Sequence, residues 1–228
     1  MTSGVERVGP TALLARLHGV LPGAELVATP LPLVPEISLW LLEQTYSADA
    51  LDAEAAAALM DEPPYWSFCW ASGQVLARYL LDNPALVAGK TVVDVGPGSG
   101  VVAIAAALAG AARVLACDLD PVALTAVSAN AALNQVTVSC SDELAQCLPE
   151  AELITAADIL YDRDNLPLLA QLRMAAGVLL ADSRIRDLQP PGYLRLGERE
   201  ATTWPDLDES REFNRVRLFA AGGTFPEP

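Results

Sequence analysis

Apolar positions recur along this chain in two rhythms. In residues 11–21 (TALLARLHGVL) they are spaced three and four apart, as in a short amphipathic helix. Prolines at 22, 30, 32 and 35 then interrupt the chain. Residues 36–45 (EISLWLLEQT) and the alanine-rich 51–60 also read as helices, the second stopped by Asp61-Glu62-Pro63-Pro64. Residues 1–62 are therefore expected to be a helical extension packed on a main domain of residues 63–228. The densest aromatic cluster, residues 65–70 (YWSFCW), leads into a helical pattern over 73–81 that ends at Asp82-Asn83-Pro84.

From Gly89 the rhythm changes to an alternation of strands and helices. Residues 91–95 (TVVDV) are mostly apolar and β-branched, as expected of a strand buried on both faces. A glycine-rich turn and a helix over about 100–110 follow. Further strands are predicted at 113–117 (RVLAC), 136–140, 153–157 and 177–181 (GVLLA), with helices at 121–133 and near 165–175. The tail offers two more strands, at about 194–203 and 213–220, joined by an acidic loop. Repeated strand–helix units demand a parallel sheet with right-handed crossovers, so the expected class is an α/β sandwich with helices on both faces.

Composition narrows the function classes. The 228 residues are 52% hydrophobic and 19% charged, enough apolar surface for a buried core. Lys and Arg number 14 against 29 Asp and Glu, a net charge of −15. A protein that tracks phosphate needs a basic face, so nucleic acid and anionic membranes are not expected partners, whereas a basic partner is. The longest apolar run, 101–112, is shorter than the roughly 20 residues a bilayer requires. Four cysteines (69, 117, 140 and 147) form no CxxC pair and read as buried free thiols in a reducing compartment, so a soluble cytoplasmic protein is expected. The single histidine, His18, reads as a helix-surface residue, and no metal site is expected.

The chemistry concentrates at strand ends. Val93-Asp94-Val95-Gly96-Pro97-Gly98-Ser99-Gly100 closes a strand and opens a helix, which brings backbone N–H groups close to a ligand. Dinucleotide sites use GxGxxG, and here Val101 stands where the third glycine would be. The GxGxG turn is wider and suits the amino-acid end of S-adenosylmethionine (SAM); Asp94 is placed to order the loop and approach the ligand's amino group. The bland alternative is a tight turn without a ligand. Asp118, ending the next strand, is placed as a bidentate acceptor for ribose hydroxyls. Asp120, followed by Pro121, reads as a helix N-cap instead. Asp142 is either an adenine-amino acceptor or the N-cap of a helix starting at Glu143.

The fourth strand of the domain runs out into Ala157-Asp158-Ile159-Leu160-Tyr161-Asp162. Asp158 and Tyr161 are placed to flank an incoming nucleophile: a carboxylate orients an ammonium and an aromatic wall excludes water. Loop structure is the competing reading for Tyr161 and Asp162. In the aromatic cluster, Tyr65 and Trp66 are expected partly in the core, with Trp70 and Gly73 against the cofactor.

These residues resemble class I SAM-dependent methyltransferases, Rossmann-like sandwiches. Three earlier segments narrow the likeness: Leu33-Val34-Pro35-Glu36-Ile37-Ser38-Leu39, Pro64-Tyr65-Trp66-Ser67-Phe68-Cys69-Trp70 and Arg78-Tyr79-Leu80-Leu81-Asp82-Asn83-Pro84. With Asp118-Leu119-Asp120-Pro121 and Asp158-Ile159-Leu160-Tyr161-Asp162, they are similar to the electron-transfer flavoprotein β-subunit lysine methyltransferases over about 33–185. The resemblance implies a seven-stranded sheet with an antiparallel last strand. It also implies SAM contacts at Trp70, Gly73, Asp94, Gly96, Gly98, Asp118 and Asp142, to which Gly100 and Asp158 are added, and a lysine-facing Asp158. Three places depart from the family pattern. Its Trp-Pro-Gly-Gly is here Trp70-Ala71-Ser72-Gly73, its Gly-Asp is Ala157-Asp158, and its Gly-Asp-Pro-Gly-Arg is Ala181-Asp182-Ser183-Arg184-Ile185-Arg186. The expected function is methylation of protein lysine. The rivals are methylation of a small-molecule nitrogen and a non-catalytic SAM-binding protein. An NAD-dependent oxidoreductase is disfavoured by Val101 and by the lack of a placed histidine.

Overall fold

The computed structural model describes residues 10–46, 57, 59–223 and 225–226. The first helix, α1 (Pro10–Val20), buries Leu13 and Leu17. With Leu21 they pack on Ala123, Ala126 and Ala129 of a later helix. His18 lies on its exposed side, with Nε2 2.7 Å from the Ala24 carbonyl.

The expected helix over 36–45 is a strand. β1 (Leu26–Pro30) and β2 (Ser38–Leu42) form an antiparallel hairpin with Leu26 opposite Leu42. A short apolar run fits either period, and tertiary partners decide. Ile37, Leu39 and Leu41 are all buried, at a spacing of two. The hairpin is then tied down by amide side chains: Asn130 Oδ1 accepts from Trp40 N–H at 2.7 Å, and Asn134 Oδ1 from Ser38 N–H at 3.0 Å. Among the described residues before 63, the stretch at 26–42 is thus a hairpin where helix was expected over 36–45. The predicted helix over 51–60 falls largely outside the described residues.

The main sheet follows the sequence pattern closely. Helix α2 (Ala71–Asp82) precedes β3 (Thr91–Val95), α3 (Val101–Leu108), β4 (Arg113–Cys117) and α4 (Pro121–Leu133). Then come β5 (Ser139–Ser141), α5 (Leu144–Cys147), β6 (Leu153–Ala157), α6 (Leu168–Leu172), β7 (Val178–Asp182), β8 (Leu194–Glu200) and β9 (Arg215–Ala221). Seven strands lie in the order β5-β4-β3-β6-β7-β9-β8. The first five are parallel; β9 runs antiparallel to both β7 and β8. The expected class, with its antiparallel last strand, is the one observed. The strand expected at 136–140 is shorter and later, because only Ser139–Ser141 pairs with β4.

Two apolar layers sandwich the sheet. On one side α2 and α3 pack with Val92, Leu153, Leu179 and Leu218; on the other, Val93, Ile154, Leu180 and Phe219 face Leu160, Leu169 and Leu172. Strand order reverses between β3 and β6, so the carboxyl ends of β3, β4 and β6 open on one crevice, where open α/β sheets bind ligands. Two burial expectations fail at the surface. Tyr65 is exposed although Trp66 beside it is buried, and Cys140 is exposed on the edge strand while the other three free cysteines are buried.

Candidate active site

The glycine turn between β3 and α3 is built around Asp94. Gly100 is the helix N-cap at φ 85° and has no side chain to cap with. Asp94 does that work from the strand before: its Oδ2 accepts from Ala103 N–H at 3.1 Å, and its Oδ1 accepts from the Thr155 hydroxyl at 2.7 Å. With 1% of its surface exposed, Asp94 orders the loop as expected, but both oxygens are engaged inside the protein. Burial pushes its carboxyl up to about 7, opposed by those two hydrogen bonds.

The three loop glycines do different work. At Gly96 (φ 63°) a Cβ would meet Ile159 Cγ2 at 2.7 Å, and at Gly100 it would crowd Val127 at 3.2–3.3 Å. Gly98 (φ 51°) has nothing within 4 Å of its Cβ position, so the turn opens there. Gly73, expected against the cofactor, lies buried in α2, where a Cβ would sit 2.9 Å from Val101 Cγ1, so its bare backbone lets α2 and α3 approach closely.

Asp118, one residue past β4, accepts from Asp120 N–H at 3.0 Å. Partial burial raises its carboxyl, and the backbone N–H groups of Asp120, Gly98 and Leu119 pull it back. Asp120 caps α4 as expected, accepting from Val122 N–H at 2.7 Å. Asp142, past β5, is exposed; the N-cap of α5 is Glu143, so the capping alternative for Asp142 falls away.

Asp158 follows β6 in a left-handed turn, φ 52° and ψ 23°, a conformation uncommon for a residue with a Cβ. It is held there from both sides. Its N–H donates to the Ala181 carbonyl at 2.9 Å. Its Oδ1 accepts three hydrogen bonds: from Ser72 Oγ (2.8 Å), Ser183 N (2.8 Å) and Ser183 Oγ (2.9 Å). Oδ2 is buried with no hydrogen-bond partner; the nearest cation is Arg184 Nε at 4.0 Å. Tyr161, expected beside Asp158, instead stands 61% exposed at the rim, its ring 5.2 Å from that of Tyr65. Tyr65 in turn meets Trp70 edge-on at 5.8 Å and accepts the Trp70 indole N–H at its carbonyl (3.1 Å). Asp162 caps the short turn after it, accepting from Asp164 N–H.

Sequence reasoning missed the residues that close this wall. Arg184 lies with its guanidinium 5.0 Å from the Trp70 ring and 4.9 Å from the Phe213 ring. It is paired with Glu209 at 2.7 Å, and Glu209 also accepts from the Thr203 hydroxyl. Glu209 and Phe213 belong to the acidic loop between β8 and β9, which no local pattern connects to residue 184. Ser72 and Ser183 carried a signal, as departures from the family pattern, and so did Asp158; that the two serines meet on its carboxylate could not be read from the sequence.

The crevice therefore joins a glycine turn opening at Gly98, carboxylates at the ends of β4, β5 and β6, and an aromatic wall. Comparison with known proteins fits it. The family model described as ribosomal protein L11 methyltransferase (PrmA) matches residues 75–163. Over residues 75–163 the chain is similar to that methyltransferase family. The electron transfer flavoprotein beta subunit lysine methyltransferase of Mus musculus is 45% identical over 104 residues, 44% of this chain and 41% of that protein. Its Xenopus laevis counterpart is 39% identical over 145 residues, 62% of this chain and 58% of that protein. The chain thus spans about two fifths of the length of the first curated relatives it matches. A crystal structure of a Pyrococcus horikoshii protein described as a candidate RNA methyltransferase shares the fold, with a TM-score of 0.51 at 15% identity over 65% of this chain and 79% of that one.

The residues lining this crevice fit SAM as a cofactor. The space beside Gly98 is what a bound ligand needs to approach backbone N–H groups. Asp118, at the end of β4, presents its carboxylate to backbone N–H groups of the glycine turn and of its own loop, and exposed Asp142 caps no helix. The family match ends at residue 163, so Ser183, Arg184, Glu209 and Phe213 all lie outside it.

Proposed function

We propose that this chain is a SAM-dependent N-methyltransferase whose acceptor is a lysine side chain of a protein. The observation that carries the reading is Asp158, one oxygen fastened by three donors and the other bare, at the sheet edge beside the glycine turn. When bound, SAM supplies a methyl group on a positively charged sulfur. The nucleophile must offer a free lone pair in line with that group, which is a matter of alignment more than of strong base catalysis. Asp158 Oδ2 serves to receive the ammonium of the incoming lysine and orient its nitrogen; the ammonium proton must leave to water before the lone pair is free. Trp70, Tyr65 and Tyr161 line the approach and limit water at the reacting nitrogen. Gly98, Asp118 and Asp142 hold the cofactor, and Gly96 and Asp94 shape the turn from below.

The acidic surface, −15 overall, and the exposed Asp120, Asp142, Asp162 and Asp164 along this edge suit a basic protein segment. The curated relatives are named for the electron transfer flavoprotein β subunit, which makes that subunit the first acceptor to try. Four free cysteines suit a reducing cytoplasm. Incubation with labelled SAM and purified electron transfer flavoprotein β subunit, alongside a whole-cell lysate, tests the reading. Label on lysine in a protein band, located by mass spectrometry, is expected; label confined to small products would move the acceptor to a small-molecule nitrogen.

A further inference from the structure

Arg184 is surrounded by what a cation-binding site contains. Two aromatic rings flank its guanidinium at 4.9 and 5.0 Å, within the range of a cation–π contact. Glu209 meets it with both oxygens, at 2.7 and 3.4 Å, and is held by the Thr203 hydroxyl at 2.6 Å. Asp158 faces it from below. Only 15% of the arginine side chain is exposed. The loop carrying Glu209 and Phe213 is fastened to the domain where Trp204 and Cys69 exchange backbone hydrogen bonds at 2.7 and 2.8 Å. Cys69 precedes Trp70, so the two aromatic walls are joined through one bridge.

The fit is imperfect at one point. Asp158 Oδ2 is buried and unpartnered because Arg184 Nε stops 4.0 Å away, beyond hydrogen-bond reach. A buried acceptor without a donor is costly. The planar guanidinium is fixed by its fork on Glu209 and cannot turn toward Asp158 as well. A compact ammonium on a flexible stem has no such constraint.

We propose that Arg184 is a resident stand-in for the acceptor: its guanidinium fills a cage of Trp70, Phe213, Glu209 and Asp158 that takes an alkylammonium group when the arginine swings out. The inference rests on the lysine-acceptor reading for its biological meaning, but the cage itself is defined by geometry alone. Its consequence is selectivity. An acceptor must displace an internal cation that is already paired with Glu209 and stacked between two rings, so isolated lysines compete poorly and a segment that also engages the acidic rim competes well. Arg184 is thus a specificity-determining residue, in the loop where this chain departs from its family.

The test is binding, read at Trp70. In 15N NMR spectra of the full chain, n-butylammonium chloride is titrated at constant ionic strength while the Trp70 indole N–H is followed. Arg184→Ala should show a saturable shift with a half-saturation at least tenfold below that of the wild type, and guanidinium chloride should do the same. Glu209→Gln, which loosens the arginine but also takes one carboxylate from the cage, should fall between the two and serves if Arg184→Ala does not fold. A folded Arg184→Ala whose Trp70 signal ignores both cations, or a wild type that binds them equally well, overturns the proposal. Methyl transfer from labelled SAM to poly-L-lysine is measured on the same samples. Cage binding without transfer by any variant would remove the lysine-methylation reading and leave the cage standing, whereas transfer without cage binding would do the reverse.

Discussion

Ser183 gives Asp158 two hydrogen bonds, one from its backbone N–H at 2.8 Å and one from its hydroxyl at 2.9 Å, both to the same carboxylate oxygen. Ser72 adds the third. Three donors on one oxygen set the plane of the carboxylate and leave the other oxygen as its only free face. The positions that differ from the family pattern thus supply both side-chain hydroxyls that orient the proposed acceptor carboxylate. Asp158→Asn keeps the shape but loses the charge. It should lower methyl transfer by about 10- to 100-fold, since a charge-assisted contact is worth roughly 1.5–3 kcal/mol. SAM affinity, measured by calorimetry, should stay within a few-fold. Ser183→Ala keeps the backbone donor and should cost about 10-fold in kcat. Full activity in Asp158→Asn would remove that residue from the chemistry.

Gly96 and Gly98 separate folding from binding. Both have positive φ, so alanine at either pays a similar backbone cost, of the order of 1 kcal/mol. At Gly96 the new methyl also collides with Ile159, so Gly96→Ala should lower the melting temperature by several degrees. At Gly98 the methyl enters open space. Gly98→Ala should therefore melt closer to the wild type while losing SAM affinity by at least about 10-fold, about 1.4 kcal/mol. Equal loss of affinity and stability at both positions would mean that the space beside Gly98 holds no ligand.

The parallel core could be read from the chain because its signals are local. TVVDV, RVLAC and LITAA are continuous apolar runs bounded by turns, and β3, β4 and β6 have the expected bounds. Asp120-Pro121 marks the start of α4 unambiguously. Residues 36–45 were not readable in this way. Their run of Ile, Leu and Trp satisfies two periods at once, and the deciding amides, Asn130 and Asn134, lie about ninety residues further on. The cofactor half of the site was legible because a glycine turn and the strand-end acids that follow it are ordered by the fold. The acceptor half depends on side chains from residues 70, 158, 184, 209 and 213, and nothing in the spacing of such residues reveals that they meet.

Asn130 links the hairpin to the cofactor turn. Its Oδ1 accepts from Trp40 N–H in β2, and its Nδ2 donates to the Ser99 carbonyl at 2.8 Å. The side chain is fully buried, so both partners would be stranded without it. Asn130→Ala should cost about 2–4 kcal/mol in urea unfolding, from one lost bond on each side and two unsatisfied backbone groups. It should also weaken SAM binding, because Ser99 lies within the glycine turn. Asn130→Asp keeps the acceptor for Trp40 but loses the donor to Ser99, so it should affect SAM binding more than its effect on the hairpin would suggest. Hydrogen exchange at Trp40 N–H would distinguish the two ends.

Asp94 predicts the direction of the pH dependence. Its carboxyl is pushed up to about 7 by burial, and that of Asp182 to about 6. In the unfolded chain both would titrate near 4. Between those values the folded protein holds protons that the unfolded chain has released. Stability therefore falls as pH rises from about 4 to about 7, by at most about 1.4 kcal/mol per pH unit for each group. The net negative charge pushes the same way, so the wild-type slope alone does not isolate Asp94. Asp94→Asn does. Its carbonyl can accept from Ala103 N–H, and its amide can donate to Thr155 Oγ once that hydroxyl turns round. Urea midpoints measured from pH 5 to 8 should fall with pH in the wild type and fall less steeply in Asp94→Asn. A parallel pair of curves would mean that Asp94 stays ionised throughout, with the Ala103 N–H at the head of α3 outweighing its burial.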